Sequence, residues 1–414
     1  MGTKIGICGL GSFGSRFLEL YNAHPLVDEV VLADFIRERA EEQAEDRDKV
    51  SRIVDSLDAL CDTDVDGVVL MTQRQLHGPQ AVQALEAGKH VHCAVPIAQT
   101  IDEVRKIVET VETTRLIYMN GETSYYYPSA IYCRERYRKG DFGRFVYGEG
   151  QYLHDMDHFY QSFQRSGGAE WKRVAGIPPM HYPTHSTSFA LSITGAHVTS
   201  VSCLGFVDDH EDGIFRRGAN DWDNTFSNET ALMRTSDGGM MRINEFRRIG
   251  WRTPRGGVFC RFYGTAASFE SGGGGDTWIT SDPDELTDLT DLLTCGKVAA
   301  PKEHRDEHGS VVDDLYSGVS KVHPIARLPR EFLGLPNGHL GSHQFLVDDF
   351  VKAVVHNRLP PNHVWAAARY CIPGLVAHQS AECEGQPMDV PDLGDPPEGW
   401  ELLETEEIPE LVSR

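Results

Sequence analysis

The stretch Ile5–Gly14, which reads IGICGLGSFG, decides the fold of the first half of the chain. Ile5–Cys8 has the pattern of a short buried strand, and a glycine-rich turn follows it directly. The spacing of the glycines is that of a strand–turn–helix unit in which the N-terminus of the helix binds an anion. The residues expected to line this turn are Gly9, Gly11, Ser12, Phe13 and Gly14.

Each glycine of this turn has a separate role in dinucleotide binding. Gly9 permits the tight turn, Gly11 lets the backbone approach a pyrophosphate, and Gly14 lets the helix pack on the strand. Asp34 ends the second apolar segment, 20 residues after Gly14. An acid there accepts hydrogen bonds from the adenosine ribose and repels a 2′-phosphate, so the predicted cofactor is NAD rather than NADP. Arg37 leaves the opposite preference open, because it could turn toward such a phosphate.

Short apolar segments alternate with amphipathic ones across residues 1–123. Strand–helix alternation of this kind predicts an α/β fold with a parallel, doubly wound sheet. We therefore assign residues 1–123 to an NAD-binding Rossmann domain. The predicted strands are Ile5–Cys8, Val30–Ala33, Gly67–Met71, His90–Cys93 and Arg115–Met119.

The pattern changes after Gly143, where apolar and polar residues alternate and turn signals such as Ser236–Gly239 appear. This predicts an α+β domain over residues 124–414 with an open, mostly antiparallel sheet that is covered on one face. A long polar excursion is expected at residues 271–330, and C-terminal helices across residues 343–382. The predicted strands are Phe145–Tyr152, Val198–Phe206, Thr230–Thr235, Gly239–Phe246 and Gly257–Phe262, and the predicted helices are His343–His356 and Val364–Glu382.

Composition narrows the possible partners and compartments. A chain of 414 residues with a net charge of −23 would be repelled by nucleic acid and by an anionic membrane. None of the nine cysteines falls in a CxxC pair, so no zinc ribbon or thioredoxin-type site is expected, and a reducing compartment fits best. No apolar run reaches the ~18–20 residues of a membrane span. The expected location is the cytoplasm.

Several motifs of the first domain resemble the glucose–fructose oxidoreductase / inositol dehydrogenase (Gfo/Idh/MocA) family. They are VVLMT at residues 68–72, His77 and ALEAGKHV at residues 84–91. FYGT at residues 262–265 is similar to the family's sheet motif, and the resemblance covers essentially the whole chain. It implies that Thr72 and His77 lie beside the cofactor. It also implies that the second domain binds substrate and forms a homodimer or homotetramer through its sheet.

One departure from the family affects the chemistry. Most members carry Glu-Lys-Pro where this chain has Ala94-Val95-Pro96, and in typical dehydrogenases of the family that lysine is the acid/base. Valine cannot transfer a proton. Either another side chain does so here, or the protein is not an ordinary dehydrogenase. Val95 and Pro96 are still expected beside the cofactor.

Two further segments resemble a subgroup, the NAD-dependent α-N-acetylgalactosaminidases and their relatives. They are GEGQYLHD at residues 148–155 and YPTH at residues 182–185, and those glycosidases also lack the lysine. A small-molecule sugar or glycoside is therefore the implied partner. The resemblance implies an active-site set of Glu122, Tyr152, His154, Tyr182 and His185.

The spacing of these residues fits other roles too. Tyr152 and His154 lie two residues apart, so they also fit a packed pair on one face of a strand. Glu122 also fits a cap on a chain reversal. Pro183 is tolerated in a first helical turn, so YPTH is expected to begin a helix that presents Tyr182 and His185 on one face.

Several residues around this set keep alternative roles. His181 and His185 have the i, i+4 spacing of metal ligands, but no carboxylate lies at ligand spacing beside them, so no metal is predicted. Substrate contacts are expected from His181, Trp171 and Lys172, and Lys172 is also a possible substitute for the missing lysine. Three arginines fit either an anionic substrate or the acidic surface: Arg247, Arg248 and Arg252.

Three functions compete at this stage. The first is an NAD-dependent oxidoreductase that oxidises a secondary hydroxyl of a sugar or glycoside, at C3, with a Tyr/His acid–base set. The second is a redox-neutral glycosidase in which C3 oxidation permits elimination at C1, followed by water addition and re-reduction. The third is a non-catalytic sensor that binds NAD and a sugar.

Overall fold

The first half of the chain forms a six-stranded parallel sheet. We describe it from a computed structural model that covers residues 2–250, 258–272, 274–282, 284, 286–305 and 314–404. The strands of this sheet are β1 (Thr3–Cys8), β2 (Val27–Ala33), β3 (Val50–Val54), β4 (Gly67–Leu70), β5 (His90–Cys93) and β6 (Tyr118–Asn120). The helices between them are α1 (Gly14–Ala23), α2 (Arg37–Ala44), α3 (Leu57–Cys61), α4 (His77–Glu86) and α5 (Ile101–Thr114).

The strand order, β3-β2-β1-β4-β5-β6, confirms the doubly wound parallel sheet. Strand β1 pairs with β2 on one side and β4 on the other, so the order reverses beside β1. In sheets of this type the crevice at that reversal, beyond the carboxyl ends of the strands, is where a ligand binds. The glycine turn and the residues after β4, β5 and β6 all lie at this edge.

Two strand predictions need correction. The predicted strand at Arg115–Met119 begins too early, because Arg115 is in the left-handed region (φ 61°) and caps α5. Strand β3 was not predicted at all. It is an edge strand with no fully buried residue, so its sequence lacks the apolar run that marks the central strands.

The second half of the chain adds a nine-stranded sheet. Its strands are β7 (Phe145–Leu153), β8 (Val198–Val207), β9 (Phe226–Thr235), β10 (Met240–Phe246), β11 (Val258–Gly264), β12 (Ala267–Gly272), β13 (Gly275–Thr280), β14 (Thr287–Asp288) and β17 (Met388–Asp389). The order is β14-β13-β12-β11-β7-β10-β9-β8-β17. Only β7 and β10 pair in parallel among these strands as described, which confirms a mostly antiparallel sheet.

The helices of the second half are α6 (Pro128–Arg138), α7 (Tyr160–Gly167), α8 (Trp171–Ala175), α9 (Thr184–Thr194), α10 (Thr290–Leu293), α11 (Ser342–His356) and α12 (Val364–Glu382). Helices α9 and α12 pack on one face of the large sheet. Helix α9 crosses β7 closely. A side chain at Gly150 would lie 2.1 Å from the Ser186 carbonyl oxygen, so glycine is required for this approach, which brings α9 to the end of the sheet beside the first domain.

The segment at residues 271–330 is more ordered than a polar excursion. It supplies β13 and β14 to the large sheet, and it forms a two-stranded sheet from β15 (Gly296–Ala299) and β16 (Leu315–Val319). Trp278 packs edge-on against Phe142, with ring centroids 4.8 Å apart. Apolar residues that are widely spaced in the sequence order this segment. Because the residues between them are polar, the composition did not predict the order. Residues 273, 283, 285 and 306–313 lie outside the described part of the chain.

The C-terminal helices pack back onto the first sheet. Phe350 of α11 lies beneath Gly67 of β4, where an added Cβ would meet its ring at 3.0 Å, and the Cys371 thiol of α12 approaches the Ala98 carbonyl. The first sheet is therefore covered in part by residues from the second half, and the division at residue 123 stays a prediction. All nine cysteines are unpaired thiols. No helix in the described part of the chain is long and apolar enough to cross a membrane.

Candidate active site

The glycine turn has the geometry that a dinucleotide pyrophosphate needs. Gly9 has φ of +95°, and a Cβ there would lie 2.6 Å from the Met71 carbonyl oxygen. A Cβ at Gly14 would lie 2.0 Å from the Gly9 carbonyl oxygen, which would push α1 off the turn. A Cβ at Gly11 would meet nothing within 4 Å, so the backbone is open on that side. The residues present therefore fit a bound NAD.

Asp34 is held against this turn. Its carboxylate accepts hydrogen bonds from the backbone N–H groups of Leu10 (2.7 Å) and Ile36 (2.8 Å). These use two of its roughly four acceptor positions and leave others for a ribose diol. Arg37 pairs with Glu41 and Asp55 on the surface. The arginine beside Asp34 is Arg39, at 3.4 Å, which the sequence analysis did not consider.

The loops after β4 and β5 are connected by His77. Its Nδ1 lies 2.8 Å from the Pro96 carbonyl oxygen, and its Nε2 lies 3.2 Å from the Thr72 carbonyl oxygen. Burial lowers the pKa of His77, so the ring is neutral and donates one hydrogen bond at a time. Val95 is buried next to Pro96. His77 thus holds the two loops together, while Val95 offers no proton.

Glu122 and His185 form a buried pair at the carboxyl edge of the first sheet. His185 Nδ1 donates to Glu122 Oε1 over 2.7 Å, and Ser124 donates to the same oxygen from its N–H (2.8 Å) and its hydroxyl (2.7 Å). Burial alone would raise the pKa of Glu122, but His185, Ser124 and Thr184 outweigh it and hold that pKa below its ordinary value. The carboxylate therefore stays ionised and fixes the ring of His185.

Two tyrosines and a histidine surround the other side of the His185 ring. The Tyr152 ring centroid lies 5.1 Å from His185 and 5.8 Å from Tyr182, and the Tyr182 ring lies 5.3 Å from His185. His154 lies 5.2 Å from Tyr152. Burial raises the pKa of Tyr152 and of Tyr182, so both hydroxyls stay protonated and are available to donate hydrogen bonds. The structure therefore brings all five residues of the predicted set together.

The helix prediction for YPTH is half right. Helix α9 begins at Thr184, and Pro183 precedes it. Tyr182 lies outside the helix with φ of −129°, so it reaches the His185 ring from the preceding turn and not from the same helical face.

Two arginines and a glutamate of this site were missed or left undecided. Arg74 lies in the loop after β4, with its guanidinium carbon 4.6 Å from the Tyr182 ring centroid. Arg247 lies 4.9 Å from the Tyr152 centroid and binds Glu245 at 3.1 Å. Burial raises the pKa of Glu245 to about 8, so this carboxyl is only partly ionised near neutral pH. For Arg74, the signal in the sequence was its position two residues after Thr72.

Two histidines from the C-terminal half also reach the cleft and were not predicted. His339 Nδ1 lies 2.7 Å from His343 Nε2, and both rings lie edge-on to Phe13 of the glycine turn, at 5.5 and 5.6 Å. The His339 ring lies 6.5 Å from His185. His339 and Leu340 both have positive φ, 46° and 52°, which side chains other than glycine adopt rarely and which often marks functional sites.

The residues predicted to contact substrate lie elsewhere. The His181 ring packs 5.1 Å from His378. Lys172 donates to the Asp212 carbonyl oxygen (2.6 Å) and Trp171 packs edge-on against Tyr160 at 5.6 Å. None of the three contacts the Tyr/His set in the described contacts. Trp171 and Lys172 belong to α8, which packs with α7 through a separate small apolar cluster. The predicted substrate contacts, and Lys172 as a substitute for the missing lysine, stay predictions.

The structure also places Arg248, one of the two other arginines left undecided, and the residues that could bind a metal ion. Arg248 binds Asp212 and lies near Asp208, as the surface-pairing alternative supposed, and Arg252 lies outside the described residues. Across the described part of the chain, no group of three or more histidine, cysteine, aspartate or glutamate residues is arranged to hold a metal ion.

Comparison with known proteins agrees with the turn and sheet. Residues 3–122 match the Gfo/Idh/MocA profile, described as an oxidoreductase family with an NAD-binding Rossmann fold. This match lies within the first half of the chain. It covers β1 to β6 together with Glu122, so the NAD-binding assignment of this domain rests on both the motif and the profile.

Longer alignments reach two kinds of protein. The chain is 24% identical to a glycosyl hydrolase family 109 protein of Porphyromonas gingivalis, over 94% of this chain and 84% of that protein. It is 35% identical to an α-N-acetylgalactosaminidase of Bacteroides fragilis, over 32% of each chain. A levoglucosan dehydrogenase in complex with NADH and levoglucosan has the same fold, with a TM-score of 0.72 and 20% identity, over 95% of this chain and 100% of that one.

Proposed function

We propose that the protein is an NAD-dependent oxidoreductase that acts on a secondary hydroxyl, at C3, of a sugar or glycoside. The observation that carries this proposal is the Glu122–His185 pair, which lies at the cofactor edge of the first sheet and faces two protonated tyrosines. A buried carboxylate that orients a histidine is the arrangement of a general base.

His185 is the proposed base because of its tautomer. Its Nδ1 donates to the ionised Glu122, so in the neutral ring Nε2 carries the free lone pair. A hydroxyl near Nε2 would lose its proton to that nitrogen, and Glu122 would stabilise the imidazolium that forms. Glu122 is a positioning residue in this scheme.

Tyr152 and Tyr182 act as donors to the substrate oxygens. With pKa values raised by burial, they donate hydrogen bonds and hold the reacting hydroxyl against His185. NAD, when bound, accepts the two electrons and the hydrogen of the C3–H bond. The hydroxyl proton goes to His185, so an alcohol becomes a ketone and one proton is released.

A second candidate is a redox-neutral glycosidase. It is favoured by the relatives named glycosyl hydrolase family 109 and by Val95, which leaves no lysine at the position of the usual acid/base. A C3 ketone acidifies the C2 proton, which His185 would remove, once it has released the hydroxyl proton to solvent, while the C1–O bond breaks and Tyr182 protonates the departing oxygen. Water would then add its oxygen to C1 and return a proton to Tyr182, while His185 returns the proton to C2. Reduction of the C3 ketone would complete the cycle.

One experiment separates these functions. Purified protein is incubated with a panel of aryl glycosides and free sugars while NADH absorbance and aglycone release are recorded together. Stoichiometric NADH without aglycone supports the dehydrogenase, and aglycone release without net NADH supports the glycosidase. Sugar binding without either signal would contradict both and leave the sensor.

We also propose that NAD is preferred over NADP through Asp34. NAD should bind at least about tenfold more tightly, or ~1.4 kcal/mol, measured by calorimetric titration with both nucleotides. Asp34→Asn keeps a side-chain oxygen near Leu10 N–H but removes the charge, and it should narrow the difference. Equal affinities in the native protein would contradict the proposal. Arg39→Gln is the matched control, because Arg39 rather than Arg37 lies beside this carboxylate.

A second copy of the chain is the proposed partner of the large sheet. The outer face of this sheet exposes Leu204, Phe206, Leu232 and Met240, and Leu232 is 60% exposed. Contiguous apolar surface of this kind marks a protein interface. Light scattering should show a homodimer or homotetramer that Leu232→Glu shifts toward the monomer, whereas a monomeric native protein would refute the assignment.

A further inference from the structure

Arg74 has no charged or hydrogen-bonding partner in the part of the chain that the structure describes. Its guanidinium is surrounded by aromatic rings instead, with the carbon 4.6 Å from the Tyr182 centroid, 5.3 Å from Phe163 and 5.5 Å from Phe159. Other arginines nearby are paired: Arg247 binds Glu245, and Arg173 binds Asp221. Arg74 therefore offers an unpaired positive charge beside the active site of a chain whose net charge is −23.

The guanidinium of Arg74 carries a positive charge that no carboxylate in the described part of the chain neutralises. Burial lowers the pKa of Arg74 and Arg247 lowers it as well, while Tyr182 and Tyr152 raise it by less than burial lowers it. A guanidinium nonetheless keeps its charge in proteins. Removing a cation from water without a counter-charge costs free energy. Cation–π contacts recover only about 0.5–2 kcal/mol. An anion at this position would accept hydrogen bonds from N–H donors that the rings leave without acceptors.

The phosphates of NAD are not placed to be this anion. They are expected at Gly11 and the N-terminus of α1, where the backbone is open. The aromatic contact of that turn, Phe13, is with His339 and His343. Arg74 instead contacts Tyr182, next to the His185 ring. Its free donors therefore belong to the substrate side of the cleft.

We propose that the substrate is an anionic sugar or glycoside whose carboxylate or phosphate oxygens bind the guanidinium of Arg74. This rests on the proposed function and names its substrate class. Two parallel N–H donors of a guanidinium match two oxygens of a carboxylate or phosphate. The rings of Phe159, Phe163 and Tyr182 hold the guanidinium plane in place for that contact.

The test measures binding to the NAD-saturated protein by calorimetry, without turnover. The probes are matched pairs: methyl glucuronides and galacturonides against methyl glucosides and galactosides, and the 6-phosphates of glucose and galactose against the free sugars. At least one anionic member should bind about tenfold or more tightly than its neutral counterpart. The uronides and the 6-phosphates distinguish a carboxylate from a phosphate as the group bound.

Variants then assign the effect to Arg74. Arg74→Gln should abolish the preference for the anionic member and leave NAD affinity unchanged. Arg74→Lys keeps the charge without the planar fork and should keep part of the preference, so it also serves if Arg74→Gln folds poorly. Arg173→Gln is the control, because it removes the same charge from a paired arginine on the surface, and its preference should match the native protein.

Four results would overturn the inference. One is that no anionic sugar exceeds its neutral counterpart. The second is that Arg74→Gln leaves the preference intact. The third is an equal loss for neutral and anionic members, which would make Arg74 a general contact of the sugar ring or of the reaction. The fourth is a loss of NAD affinity in Arg74→Gln. Arg74-dependent binding without NADH formation or aglycone release would uphold this inference and refute the proposed function.

Discussion

Two buried glutamate–histidine pairs in this molecule have nearly the same internal geometry and different surroundings. His185 Nδ1 lies 2.7 Å from Glu122 Oε1, and His378 Nδ1 lies 2.8 Å from Glu229 Oε1. Both glutamates are fully buried. Burial would lower the pKa of His378, but its hydrogen bond to Glu229 and the charges of Glu229 and Glu382 outweigh this and raise it. A Glu–His pair is therefore not by itself a catalytic signal.

The difference lies in what each pair contacts next. Beyond His185 are two tyrosines and the cleft beside the glycine turn. Glu229 instead accepts the Met180 N–H at 2.8 Å, so it fixes the turn before α9, and His378 packs on His181. One pair lies against the two tyrosines of the candidate active site, and the other ties α12 to the large sheet. Neighbours, rather than the pair itself, determine the role.

The largest effect expected is on turnover at the first pair. His185→Asn keeps a nitrogen that can donate to Glu122 but removes Nε2, the proposed base. It should lower kcat by about 10²- to 10⁴-fold, the range for a lost acid/base group. The measurement is steady-state turnover on a substrate found with the glycoside panel, with calorimetric NAD binding as a check on folding.

The matched control is the same change at the second pair. His378→Asn should leave kcat per folded molecule within about twofold, because His378 does not contact the Tyr/His set. If both variants lose turnover equally, the distinction between the pairs is wrong. If neither does, His185 is not the base.

The second prediction concerns stability at Glu229. Glu229→Ala leaves His378 and the Met180 N–H without their acceptor, and breaking a buried pair in this way costs about 3–5 kcal/mol. The free energy of unfolding in urea should fall by that amount. Glu382→Ala is the control: its carboxylate lies 3.9 Å from His378 Nε2 and is half-exposed, so its effect should stay within about 0.5 kcal/mol. Similar small losses in both variants would mean that the buried pair does not hold the fold.

The third prediction uses the opposite signs of the two pKa shifts. The pKa of His378 is raised in the folded state, so its stabilisation is full below the unfolded value of about 6.5 and is lost as pH rises through the folded value. The pKa of Glu122 is lowered, so its stabilisation is present above about pH 4.3 and is lost as pH falls through the folded value.

The measurement is unfolding free energy against pH for the native protein minus each variant. The stability that the native protein has over His378→Asn should decline with rising pH. The stability that it has over Glu122→Gln should decline with falling pH. Differences that decline in the same direction of pH would contradict the opposite pKa shifts of His378 and Glu122.

The sequence predicts those parts of the fold that local pattern determines. The interior strand His90–Cys93 has the predicted bounds, and three of its four residues are buried. Strand β3 is exposed at an edge and has no such run. Trp278 and its neighbours order residues 271–330 through contacts with α6 and the following loop, and contacts between distant segments leave no periodicity in the sequence.

The same limit applies to the site. Tyr152, His154, Tyr182 and His185 were predicted because two motifs resemble a known subgroup, and Glu122 because it falls where that subgroup has a glutamate. Arg74 and His339 come from other loops and are brought there only by the packing of the two halves. A resemblance supplies residues inside its motifs. The second Glu–His pair shows that side-chain types and spacing alone do not separate a base from a structural histidine.

The smallest effect expected is at the second histidine that accompanies each pair. His339 lies 6.5 Å from His185, and His181 lies 5.1 Å from His378. We expect His339→Asn to lower kcat about tenfold, which corresponds to ~1.4 kcal/mol, because it removes a ring that closes the cleft between His185 and Phe13. Asparagine is chosen because it tolerates the positive φ of 46° at this position, so the change tests the ring and not the backbone.

His181→Asn is the control and should leave kcat unchanged, since its ring faces the structural pair. The measurement is kcat with NAD affinity recorded in parallel: a fall in NAD affinity alone would make His339 a cofactor contact, and a fall in kcat for His181→Asn would mean that the second pair communicates with the active site after all.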